Sequence, residues 1–152
     1  MPSPREETPA TTPPLEQLLG YGPALVIAAA GALAWTGSSF VLVALVAGQI
    51  WAAAILLFLA GVTRGLSFFT EGGQTAGQLV AMAVRFGCGL AGLLLPGPLA
   101  FPVLIAGYAS VAFYDPVAAR GGTAPRFFAR LRPLQMAIAV LGLVALWVRA
   151  LT

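Results

Sequence analysis

Five apolar runs separated by short polar, proline- or glycine-bearing breaks set the pattern of this chain. They cover residues 15–35, 40–63, 75–95, 99–114 and 134–151. A helix needs roughly 20 apolar residues to cross a hydrocarbon core about 30 Å thick, and four of the runs approach that length. The fourth is short. Unbroken, Ala24 to Thr63 would form one helix of roughly 60 Å, twice the core, so a turn must fall near Thr36-Gly37-Ser38-Ser39. Pro96-Gly97-Pro98 marks the sharpest fold-back. The pattern predicts an all-α membrane protein: a bundle of about five transmembrane helices, with four as the alternative count, built from two hairpins plus a C-terminal span.

Local signals refine the ends. Thr12-Pro13-Pro14-Leu15-Glu16 offers a threonine cap, proline in the first turn and an acid at the positive end of the helix dipole. Gly22-Pro23 is a candidate kink, Arg64 closes the second span, and Asp115-Pro116 ends the fourth. Met1 to Pro14 holds five prolines and almost nothing apolar, which predicts a disordered, Pro/Thr-rich cytoplasmic tail rather than a secretory signal. Residues 15–152 are then a single transmembrane helical domain. Its one sizeable polar stretch is a basic cytoplasmic loop over 116–133. There Arg126 and Arg130 share one helical face, while Phe127, Phe128 and Leu131 lie on another. That stretch reads either as a short helix lying in the headgroup layer or as a plain positive-inside loop.

Composition strengthens the membrane reading. Hydrophobic residues make up 59% and charged residues 9%, against about 25% charged in soluble domains. So small a globule could not hide that surplus, because small domains bury the smallest fraction of their surface. The net charge of +3 comes from eight arginines and no lysine, with no soluble face for a nucleic-acid patch. Five spans gather Arg5, Arg64, Arg120, Arg126, Arg130 and Arg132 on one side and leave Arg149 alone on the other. The positive-inside rule then places the N-terminus in the cytoplasm, and the arginine, alanine and glycine bias suggests a bacterial inner membrane. Arg120, Arg126, Arg130 and Arg132 are the expected surface for anionic lipid.

Candidate chemistry is sparse. There is no histidine, Cys88 is the only cysteine, and of the acids Glu6, Glu7, Glu71 and Asp115 lie outside the apolar runs while Glu16 stands at the very start of the first. These absences argue against a metal site, a cofactor and a paired acid and base. A membrane enzyme would have to be built from Tyr108, Arg85 and Asp115 without a positioned base. Cys88, between Gly87 and Gly89, reads as a packing residue. Small residues crowd the first and third runs (Ala28 to Ala32; Gly77, Ala81, Gly87, Gly89, Gly92), as close helix approach requires.

Arg85 is the exception, since it lies about ten residues into the third run, where the bilayer is driest, and such residues are functional by default. Glu71 and Asp115, read as boundary residues, are roughly 15 Å away in depth, beyond direct pairing. Gln78, Tyr108 and Ser110 are the expected partners, forming with Arg85 a site for an anion or lipid. The bland alternative is an arginine that snorkels to the interface. Two functions follow as expectations. One is an accessory or assembly subunit of a membrane complex without catalytic machinery of its own, its partners being membrane lipids, other membrane subunits or a homo-oligomer. The other is a carrier or flippase for an anionic lipid or small anion working through Arg85.

Overall fold

The computed structural model describes residues 9, 11–37 and 39–152. The tail expected over 1–14 therefore falls largely outside the described residues, as does Arg5. Among the described residues, five helices carry the fold and there is no strand: α1 (Pro14–Leu33), α2 (Val41–Phe68), α3 (Ala76–Leu94), α4 (Gly97–Arg120) and α5 (Phe128–Leu151). Each is long and apolar enough to cross a membrane.

The ends follow from backbone chemistry. α1 opens on Pro14 after an extended Pro13, and the side chain of Thr12 does not cap it. Instead the Thr12 carbonyl accepts a 3.1 Å hydrogen bond from Gln17 Nε2. Gly37, at φ +67°, supplies the left-handed residue of the α1–α2 turn, which α5 holds through Arg149 Nε on the Ala34 carbonyl at 3.1 Å. α3 starts with a reciprocal cap: Thr75 Oγ1 accepts from the Gln78 amide, and Gln78 Oε1 accepts from the Thr75 amide. Thr75→Ala should therefore cost about 1 kcal/mol, read as a lower unfolding midpoint in detergent.

Three helices run past their expected ends. α2 continues beyond Arg64, whose guanidinium lies 4.3 Å from the Phe68 ring and donates to Ser67 Oγ, so that the last turn is sustained by its own side chains. α4 passes through Pro102 and Pro116 to Arg120 rather than stopping at Tyr114. α5 begins at Phe128 and passes through Pro133, which reduces the expected 116–133 loop to 121–127. Proline in a membrane helix is tolerable where a neighbour satisfies the freed carbonyl. At Pro102 that neighbour is visible: Trp147 Nε1 donates to the Pro98 carbonyl at 3.0 Å.

The helices form a ring in which α1 packs on α5, α5 on α4, α4 on α3 and α3 on α2, while α1 and α2 touch least of the sequential neighbours. The expected first hairpin is thus the looser one, and the main partner of α1 is the last helix. Gly31 and Gly142 make that crossing: a Cβ on Gly31 would lie 2.8 Å from the Gly142 carbonyl oxygen, and one on Gly142 would lie 2.8 Å from Cα of Ala28. Ile27, Leu56, Leu104, Tyr108, Met136 and Leu143 fill the interior. Cys88 packs at the edge of that core, where a Cβ on Gly107 would meet it at 2.9 Å.

Candidate functional site

Three helices bring Arg85, Asp115 and Arg132 together inside the bundle. Asp115 Oδ1 lies 2.6 Å from Arg85 Nη2, and Asp115 Oδ2 lies 3.1 Å from Arg132 Nε. Arg85 is 1% exposed, Asp115 5% and Arg132 6%. Arg85 Nη1 also donates to Thr63 Oγ1, and Nη2 approaches the Ser110 carbonyl at 3.4 Å. Arg132 Nη1 donates to Gln135 Oε1 at 2.8 Å, Gln135 Nε2 donates to the Gly20 carbonyl at 2.8 Å, and the guanidinium stacks 4.1 Å from the Phe128 ring. The network therefore reaches every helix: Gly20 on α1, Thr63 on α2, Arg85 on α3, Asp115 on α4, Arg132 on α5.

Asp115 is the residue the sequence placed wrongly. Because α4 continues to Arg120, Asp115 sits within a helix rather than at a boundary. Arg85 lies ten positions before Leu95 and Asp115 eighteen after Gly97, an axial offset of roughly 12 Å. Side chains lean toward the N-terminus of their own helix. In an antiparallel pair these two lean toward each other, and that closes the gap.

Other expected site residues are dispersed. Tyr108 is buried, and its hydroxyl donates to the Ala52 carbonyl at 2.9 Å, tying α4 to α2. Gln78 is buried at the start of α3, where Nε2 donates to Thr70 Oγ1 at 2.7 Å and approaches the Thr123 carbonyl at 3.4 Å. Ser110 does meet Arg85, but through its carbonyl, since its hydroxyl donates to Gly107. Arg120, Arg126 and Arg130 are exposed at one end of the bundle, whereas Arg132 belongs to the buried cluster rather than to the lipid surface. Phe127 and Phe128, each 7% exposed, stack edge to face at 5.2 Å in a small core with Ala118, Ala124 and Leu131. They pack in protein, which corrects the first of the two readings of this stretch, a short helix lying in the headgroup layer. Phe128, Arg132 and Gln135 sit at i, i+4 and i+7, the one-face spacing of a helix. Reading Pro133 as a tolerated interior proline would have revealed them.

Among the described residues, hollows of three sizes flank the cluster. A void of about 10 Å³ lies among Thr63, Gln78, Asp115 and Thr123, room for about one water. A cleft of about 210 Å³ between α1, α2 and α5 is lined by Glu16, Pro23, Ile55, Leu59, Arg132 and Gln135, among others. An apolar groove of about 450 Å³ runs along α3 and α4 over Ala81, Val84, Phe113 and Tyr114. Arg85 lines none of the three. Chemically, the cluster is a clasp: its donors and its carboxylate are turned on one another and on neighbouring helices. Comparison of the chain with protein-family models, with curated proteins and with solved structures finds no match.

Proposed function

We propose that this chain is a non-catalytic protein of a bacterial inner membrane that serves as an accessory or assembly subunit of a larger membrane complex. The observation that carries the reading is the closure of Arg85, which is 1% exposed and committed to Asp115, Thr63 and Ser110. A carrier using this arginine would need it to face a cavity, and it faces helices. The polar residues of the interior thus serve to hold the bundle together, while its long apolar outer faces remain for lipid and partner helices. The N-terminus is assigned to the cytoplasm because Arg64, Arg120, Arg126 and Arg130 gather at one end and Arg149 at the other.

Solubilisation of the tagged chain in mild detergent, followed by a native gel, tests this. A discrete assembly containing other membrane proteins is expected, and a lone chain or simple homo-oligomer would remove the subunit role. For orientation, a reporter fused after Thr152 should be active outside the cytoplasm; cytoplasmic activity there would reverse the topology.

A further inference from the structure

The buried cluster is uneven in charge. Two guanidiniums meet one carboxylate: Arg85 Nε is buried without a hydrogen bond, and Arg132 Nε has the 3.1 Å ion-pair contact to Asp115 Oδ2. Arg132 is the reachable one, because it lines the 210 Å³ cleft. Glu16 is the further carboxylate near Arg132 and lines the same cleft, so a ligand seated there must answer one cation and one carboxylate.

That cleft has two characters. Its polar end holds Arg132, Gln135 and Glu16, all within the first turns of α5 and α1. Those turns lie at the end of the bundle that also carries the exposed Arg120, Arg126 and Arg130, the end that the positive-inside rule would set against headgroups. Its apolar end, lined by Pro23, Ile55 and Leu59, reaches further into the bundle. Exposed Leu19 and Phe58 border it, so it opens sideways where α1 and α2 pack most loosely. A cleft that is polar at headgroup depth, apolar below and open to the side matches an amphiphile of the bilayer. One cation and one carboxylate at the polar end match a headgroup that carries both charges.

We propose that the α1/α2/α5 cleft binds one phospholipid of the phosphatidylethanolamine class. The phosphodiester sits on Arg132 and Gln135, the ammonium on Glu16, and the upper part of one acyl chain runs along Pro23, Ile55 and Leu59. This site goes beyond the subunit role and does not depend on it.

Native mass spectrometry of the full chain, released from nanodiscs of equal parts phosphatidylethanolamine and phosphatidylglycerol, tests the assignment. One retained phospholipid per chain is expected, enriched in phosphatidylethanolamine by roughly two- to fivefold, the range a partly exposed ion pair supplies. Glu16→Gln should abolish the enrichment while the adduct persists. Ile55→Trp, which fills the cleft, should remove the adduct with little change in unfolding midpoint. If Ile55→Trp does not fold, Leu19→Trp at the exposed rim replaces it as the blocking variant. Absence of an adduct on the wild type, an adduct that survives the blocking variant, or a preference that Glu16→Gln leaves unchanged would each overturn the proposal. So would inorganic phosphate raising the midpoint of the delipidated protein as much as phosphatidylethanolamine does, for the cleft would then be a free-anion site.

Discussion

Asp115→Asn should cost about 3–5 kcal/mol, the loss expected when one partner is removed from a buried ion pair and the other charge is left without compensation. The effect is large here because a single carboxylate separates two guanidiniums. Neutralising it leaves both arginines facing one another across an amide. Arg85→Leu should be much milder, since it leaves Asp115 and Arg132 as a neutral pair. Its loss comes mainly from the contacts to Thr63 and the Ser110 carbonyl, on the order of 1–3 kcal/mol. The double variant Arg85→Leu with Asp115→Asn should be less unstable than the sum of the two single changes, because it removes the repulsion that Asp115→Asn creates. Unfolding in detergent, followed by helical signal, gives the order. An Asp115→Asn protein as stable as wild type, or an Arg85→Leu protein just as damaged, would show that the cluster is not held by its carboxylate.

The second large effect is expected at the α1–α5 crossing. A Cβ on Gly142 would lie 2.8 Å from Cα and N of Ala28 and from the carbonyl carbon of Ile27, all backbone atoms that no rotamer change can move aside. Gly142→Ala must therefore separate the helices, at a cost of about 1–3 kcal/mol, and Gly142→Val should exceed it. Gly87 is the internal control. It is exposed on α3 with nothing within 4 Å of an added Cβ, so Gly87→Ala should be neutral or stabilise by up to about 1 kcal/mol through helix propensity. Equal responses at the two glycines would mean that the crossing is not set by backbone contact.

These two sites divide what was legible in the chain from what was not. The five helices were legible because a membrane-length helix is written locally, in a run of apolar residues and its breaks. Leu15 to Trp35 reads almost as α1 does, and Pro96-Gly97-Pro98 marks the α3–α4 turn within a residue or two. Arg85 was legible as an anomaly for the same reason: its cost is a property of its own depth. Its partners were not, because pairing depends on which helix lies beside α3, on α4 continuing through Pro116, and on the lean of antiparallel side chains. A proline looks like a stop signal along the chain, yet it is tolerated once a neighbour covers the freed carbonyl, as Trp147 does for Pro98. Phe127, Phe128 and Arg132 were read as surface residues since any basic, aromatic stretch between apolar runs has that appearance. Docking of α5 against α1 and α4 buried them. The sequence by itself determined that the helices are long and apolar enough to cross a membrane, that they number about five, and which residue's charge demands compensation. The tertiary structure alone decided that Asp115 provides that compensation and divides it between Arg85 and Arg132, because burial and ion pairing are set by residues distant in the chain.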